Sequence, residues 1–128
     1  MPKWTYHLTV INELKRPLKL LEPNIAWGRK EKFDGNFPDV IQPGTFGKYY
    51  VYSPAGTSTG IEFYLSFQDK APAGEHSLGT VQVKVDMPYW KHKNTSSCET
   101  TGMLEQSGFQ EVPDGGHDFS TTVTIYEK

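Results

Sequence analysis

Few residues in this chain are typed and spaced for chemistry, and each such group reads more simply as something else. Gly56-Thr57-Ser58-Thr59-Gly60 has the G-x-S-x-G spacing of a nucleophile elbow. That device needs a strand, a sharp turn and then a helix whose N-terminus helps hold an oxyanion. Here Ile61 to Phe67 follows with strand alternation, so the run reads as a small-residue connector. Four histidines occur, His7, His76, His92 and His117, with no pair at metal-ligand spacing and no H-E-x-x-H. Asp114-Gly115-Gly116-His117-Asp118 gathers donor atoms, but Asp-Gly-Gly is ordinary turn chemistry. Cys98 is the only cysteine, so no internal disulfide and no thiolate cage can form. No histidine–acid pair is placed near it by sequence, and it reads as a small, semi-buried residue. Asn94-Thr95-Ser96 is a formal glycosylation sequon, which reads as accidental without a signal peptide. No catalytic residue, metal or cofactor is expected.

The informative residues are aromatic. Pro88-Tyr89-Trp90-Lys91-His92-Lys93-Asn94 follows the alternating run Val81 to Asp86, and Pro88 has no N–H with which to continue a ladder. Tyr89 and Trp90 are consecutive, so in an extended chain they point opposite ways and at most one faces a core. Each ring has an apolar body and a polar tip, the kind of side chain that sits at a membrane–water boundary. Lys91, His92, Lys93 and Asn94 beside them can meet a phosphate-bearing headgroup, or can form a solvated basic loop. Trp4, Trp27 and Trp90, with seven Tyr and seven Phe, exceed what a small core requires. Tyr50 and Tyr52 lie on the opposite strand face from Tyr49 and Val51, so at least one tyrosine is available at the surface.

The elements that must position these residues are strands. Thr5 to Ile11 alternates, with Tyr6, Leu8 and Val10 facing one way and His7 outward. Leu18 to Leu21 and Asn24 to Arg29 read as the next two strands, and Lys30 to Asp39 as a loop holding Phe33 and Phe37, each tucked under or exposed. Pro43 and Gly44 occupy the first and second corners of a type II turn. Lys48 to Tyr52 and Ile61 to Phe67, joined by Ser53 to Thr59, read as a hairpin. Val81 to Asp86 is the best-patterned strand. Met103–Gln106 and Phe109–Val112 are weaker ones, and Thr121–Tyr126 closes the chain, with Val123 and Ile125 inward. No window shows sustained helical periodicity, so the expectation is all-β: a two-sheet sandwich forming one domain over residues 1–128.

A net charge of −2 argues against a dedicated nucleic-acid binder. Met1 to Tyr6 lacks the apolar run of a signal peptide, and no stretch approaches the length of a membrane-spanning helix. The expected protein is soluble, cytoplasmic until released, and peripheral at any membrane it meets.

The chain resembles the aegerolysin family along nearly its whole length. The resemblance rests on Val10-Ile11-Asn12, Trp27-Gly28 after a proline-containing bend, Ile41-x-Pro43-Gly44, and Gly56-Thr57-x-Thr59-Gly60 ahead of a strand. Its most specific piece is Asp86-Met87-Pro88-Tyr89-Trp90-Lys91-x-Lys93-Asn94. The resemblance implies an actinoporin-like sandwich that binds a membrane lipid, a sphingolipid or one of related headgroup, without catalysis. It implies a larger partner of membrane-attack-complex/perforin (MACPF) type that makes the pore of a two-component cytolysin or insecticidal toxin. It places Trp27, Tyr89 and Trp90 near the lipid-facing end. Where cholesterol-dependent sphingomyelin binders carry an acidic residue before the Gly-Thr run, this chain has Ala55, which argues for a different lipid or a protein receptor. Two other readings stand beside this one: a lectin of similar sandwich fold, stacking sugars on its aromatic faces, and an enzyme using Ser58.

Overall fold

Period-two alternation becomes strand wherever one side of it can be buried, and the computed structural model shows that outcome along most of the chain. It describes residues 4–21, 23–31, 37–53, 60–88 and 93–128. Among the described residues every regular element is a strand. In chain order they are β1 (Thr5–Asn12), β2 (Leu18–Leu20), β3 (Asn24–Trp27), β4 (Arg29–Glu31), β5 (Val40–Ile41), β6 (Phe46–Tyr52), β7 (Ile61–Asp69), β8 (Thr80–Met87), β9 (Thr95–Thr100), β10 (Leu104–Ser107) and β11 (Asp118–Glu127). They form two sheets. One runs β10-β11-β1-β6-β4; the other runs β5-β2-β7-β8-β9, with β3 also paired to β7. The first and last strands lie parallel, Thr5 beside Asp118 through Asn12 beside Ile125, while the other pairings are antiparallel.

The core fills the space between the sheets. Tyr6, Leu8, Val10, Tyr49, Val51, Val123 and Ile125 come from one inner face. Phe63, Leu65, Phe67, Val81, Val83 and Val85 come from the other, and all are buried. Edge-to-face ring pairs cross the gap, Tyr6 on Phe63 at 5.7 Å between centroids and Tyr49 on Phe67 at 5.4 Å. Each such pair adds about 0.5–1.5 kcal/mol beyond its area. A one-residue slip of any of these strands would turn its whole apolar set to water, which is what fixes the register. Phe37 is tucked under, edge-on to Tyr49 at 5.1 Å, while Phe33 lies outside the described residues.

Several expectations need correcting. β6 and β7 are not a hairpin: they belong to different sheets. One edge of β6 is taken by β1 and the other by β4, while β7 is flanked by β8 on one side and by β2 and β3 on the other. The segment between them therefore crosses from sheet to sheet. The single strand expected over Asn24 to Arg29 is two. β3 pairs with β7 and β4 with β6, and the chain changes sheets at Gly28, whose φ of +119° only glycine adopts readily. β4 and β5 extend into stretches read as loop and turn. Phe109 to Val112 is not a strand; Val112 is buried and its N–H donates to Ser96 Oγ at 2.8 Å. β9 was not anticipated from the sequence, and none of its residues is fully buried. The type II turn forms as expected, with Thr45 N–H donating to the Gln42 carbonyl at 3.1 Å and Gly44 at φ +76°.

The two ends of the sandwich differ. At one, Asp69 is buried and its carboxylate gathers a loop. It accepts from Arg16 Nη1 at 2.9 Å, Ser77 Oγ at 2.6 Å, and the N–H groups of Leu78 at 2.9 Å and Gly79 at 3.2 Å. Arg16 also reaches Glu75 Oε1 and the His76 carbonyl, each at 2.8 Å. The other end is where the candidate site lies.

Candidate functional site

Strand register decides what shares that end. Tyr52 at the end of β6 pairs with Thr5 at the start of β1 and with Arg29 at the start of β4. Thr5 pairs with Asp118 at the start of β11. In the other sheet Ile61 pairs with Met87, Asp86 with Thr95, and Trp27 with Glu62. The sheet crossover at Trp27-Gly28-Arg29 ties the two sets together. A Cβ on Gly28 would come within 3.2 Å of Val51 Cγ1 and 3.3 Å of the Tyr52 carbonyl, so the crossover is pressed against β6. The Trp27 side chain beside it stands out, with 55% of the residue exposed.

The predicted site residues fall as follows. Trp27 is at the tip and exposed. Tyr89, Trp90, Lys91 and His92 lie outside the described residues; Met87 and Pro88 before them, and Lys93 and Asn94 after them, belong to the same end. Lys93 is largely exposed, its Nζ 3.9 Å from Asp114 Oδ2, a loose pair in water. Asn94 corrects the expectation that it is offered to a headgroup. It is 5% exposed, its Nδ2 donates to the Gly116 carbonyl at 3.4 Å, and its backbone N–H donates to the Asp114 carbonyl at 3.3 Å. A buried amide is held by its hydrogen bonds, so Asn94 fastens Lys93 and its neighbours to the 114–116 turn.

Neighbouring side chains are occupied structurally. Trp4 is buried and lies edge-on to His117, with ring centroids 4.3 Å apart. Asp118 accepts from the Thr5 hydroxyl. The Asp114–Asp118 turn is thus spent on joining β1 to β11, and among the described residues no group of three His, Cys, Asp or Glu is arranged to hold a metal. Residues 54–59, including Ser58, lie outside the described residues, but the element that follows is β7, not a helix. Cys98 is half-buried; burial first, then the Glu99 charge, push its thiol up to about 11, so it is protonated at neutral pH and a poor nucleophile.

His7 faces outward as expected. It stacks on Tyr50, rings 4.4 Å apart and 6° from parallel, and Tyr50 lies 5.5 Å from Tyr52. Of the tyrosine faces, Tyr49 is the core one and Tyr50 and Tyr52 are half-exposed.

A feature not anticipated from the sequence lies beside Trp27, on the outer face of the second sheet. There β3, β7, β8 and β9 line a groove of about 450 Å³ that includes Asn24, Glu62, Tyr64, Lys84, Asp86 and Thr95. Its residues come from four separate strands, so only register brings them together.

No protein-family model matches the chain, and no curated protein matches it in sequence. Solved structures do match its fold. IP-1A from Alcaligenes faecalis superposes with a TM-score of 0.73 over 98% of this chain and 92% of its own, at 12% identity. RahU, solved in complex with a Tris molecule, gives 0.66 over 100% and 98%, at 14% identity. Nakanori, a lipid binding protein, gives 0.60 over 95% and 69%, at 11% identity. The fold is aegerolysin-like. Among the described residues of its end, Trp27 at the sheet crossover is the most exposed large apolar side chain. Among the described residues there is no helix long and apolar enough to cross a membrane.

Proposed function

We propose that this protein is a non-enzymatic membrane-lipid-binding module that docks through the Trp27 end of the sandwich. The observation that carries the reading is the exposure of Trp27 at the Gly28 crossover between the sheets. Tyr89, Trp90, Lys91 and His92 join it as ring and headgroup contacts, with Lys93 as an exposed cation at the same end. The description of Nakanori as a lipid binding protein supports the same reading. Asn94 is a scaffold residue in this account.

Magnitudes set what the tip can do. An aromatic side chain buries roughly 150–250 Å². The exposed 55% of Trp27, at about 25 cal/mol per Å², stabilises insertion by about 3 kcal/mol. That is short of the roughly 4 kcal/mol of even millimolar binding. Further rings and a headgroup contact are required, and Tyr89, Trp90 and the lysines are the candidates. Among the described residues no helix is long and apolar enough to cross a bilayer. We place it as the recognition component of a two-component, pore-forming cytolysin or insecticidal toxin, beside a MACPF-type protein that forms the pore.

The test is sedimentation with liposomes of varied sphingolipid, glycerophospholipid and sterol content, repeated with Trp27→Ala and with Tyr89→Ala/Trp90→Ala. The expected result is binding to a subset of compositions, lost in both variants while circular dichroism is unchanged. Unchanged binding in both rejects the tip. Dye release with and without a co-encoded perforin-like protein tests the partner; release by this chain alone contradicts that assignment.

A further inference from the structure

The groove on the outer face of the second sheet has a charge arrangement that the fold does not require. Glu62 on β7 and Asp86 on β8 are directly opposite each other in the ladder. Like charges so placed destabilise a sheet. The next row inward pairs Tyr64 with Lys84, so Lys84 is diagonal to Glu62 and two residues from Asp86. Lys84 nevertheless forms no ion pair with either carboxylate among the described residues. The three charges line one hollow of about 450 Å³, within the roughly 300–1,000 Å³ of small-molecule sites.

The neutral groups are arranged with them. Asn24 Nδ2 donates to the Tyr64 hydroxyl at 2.7 Å, which leaves the Tyr64 proton free to donate outward. Thr95, beside Asp86 on β9, brings another hydroxyl to the rim. The hollow thus holds a paired-carboxylate subsite one row from a donor subsite of Lys84 and Tyr64, a spacing of about 6.6 Å along the strands. The carboxylates exceed the lysine by one charge, so the groove favours a cation over an anion.

We propose that this groove binds a primary ammonium carried on a hydroxylated framework, the chemistry of an amino sugar. The ammonium sits between Glu62 and Asp86 and donates to both. Hydroxyl oxygens of the same ligand accept from Lys84 and Tyr64. The groove shares the Trp27 end, Glu62 being the ladder partner of Trp27, but it opens on the outer sheet face and contains none of the rings or cations assigned to the membrane contact, so its failure and the failure of the lipid reading are distinguishable.

The experiment is titration of the whole protein with glucosamine, glucose, N-acetylglucosamine and phosphorylethanolamine, followed by amide chemical shifts. Glucosamine is expected to shift the amides of residues 62–64, 84–86 and 95, and glucose and N-acetylglucosamine to bind about tenfold or more weakly, because they lack the charge. Glu62→Gln and Asp86→Asn, checked for fold by circular dichroism, are each expected to weaken glucosamine about tenfold or more while leaving liposome sedimentation unchanged. The proposal is overturned if glucose binds as well as glucosamine or if neither variant weakens binding. Tighter binding of phosphorylethanolamine also overturns it, since Lys84 would then be reading a phosphate. Loss of liposome sedimentation in the two variants overturns the separateness of the site.

Discussion

Replacing Asp69 with alanine should cost this protein a large share of its stability without touching membrane binding. The Asp69 side chain is fully buried, and its ion-pair partner Arg16 keeps only 16% of its side chain in solvent. Truncation leaves a guanidinium with one partner fewer, takes the carboxylate acceptor from the Leu78 N–H, and leaves the Ser77 hydroxyl and the Gly79 N–H with only the longer 3.2 Å contacts between those two residues. Breaking one side of a buried pair costs about 3–5 kcal/mol. Against a total of about 5–15 kcal/mol that is a major loss. At roughly 3–5 °C per kcal/mol for a chain of this size, the Tm should fall by about 10–20 °C. Acid should have a related effect. Burial on its own raises the Asp69 carboxyl, but the hydrogen bonds from Ser77, Leu78, Arg16 and Gly79 outweigh it and hold the group below its usual range. A depressed folded-state value contributes stability that is complete above the unfolded value of about 3.9 and is lost as pH falls through the folded one. Urea unfolding of the wild type and of Asp69→Asn should therefore differ most at neutral pH and converge below about pH 4. A neutral-pH gap below about 1 kcal/mol, or one that persists unchanged in acid, refutes this account of the far end.

Two further perturbations separate structure from site. Tyr6 is buried with no partner for its hydroxyl among the described residues, and burial, then the nearby Cys98, drive its pKa upward, so the phenol stays neutral. Tyr6→Phe should leave the Tm unchanged or raise it, because an unsatisfied buried hydroxyl carries a penalty of about 1–3 kcal/mol; a marked fall in thermal unfolding would show that the hydroxyl has a partner. Phe46 is 59% exposed, as bare as Trp27, but it pairs with Ile11 at the opposite end of β6 and lies under the Lys48 ammonium at 5.7 Å. Phe46→Ala should sediment with liposomes like the wild type; reduced binding would mean that membranes meet the other end.

Alternation made the long strands legible. Tyr6-x-Leu8-x-Val10, Ile61 to Phe67 and Val81 to Val85 each hide one side completely, and that asymmetry is written residue by residue. Partnership is not written that way. β6 and β7 alternate equally well, and a short small-residue connector suits a hairpin and a sheet crossing alike; only the occupied edges of β6 decide. β9 left no trace because it has no fully buried side. Trp27 was legible as a surface aromatic through the family resemblance, but the reason for its exposure, the left-handed corner at Gly28, is a backbone property. Asn94 looked like a loop amide free for a headgroup, and its burial depends on Gly116, which is 22 residues away. The Glu62–Asp86 groove was invisible for the same reason, since its charges meet only through the β7–β8 register.

The central claim is that the Trp27 end enters the headgroup layer, and quenching of tryptophan fluorescence by brominated lipids tests it most directly. In a Trp90→Phe background the remaining indoles are Trp27, exposed at the tip, and Trp4, buried against His117. On liposomes that the protein binds, the account predicts a blue shift and strong quenching by bromines near the headgroup, both abolished by Trp27→Ala. Binding to those liposomes with no quenching of Trp27 would contradict it.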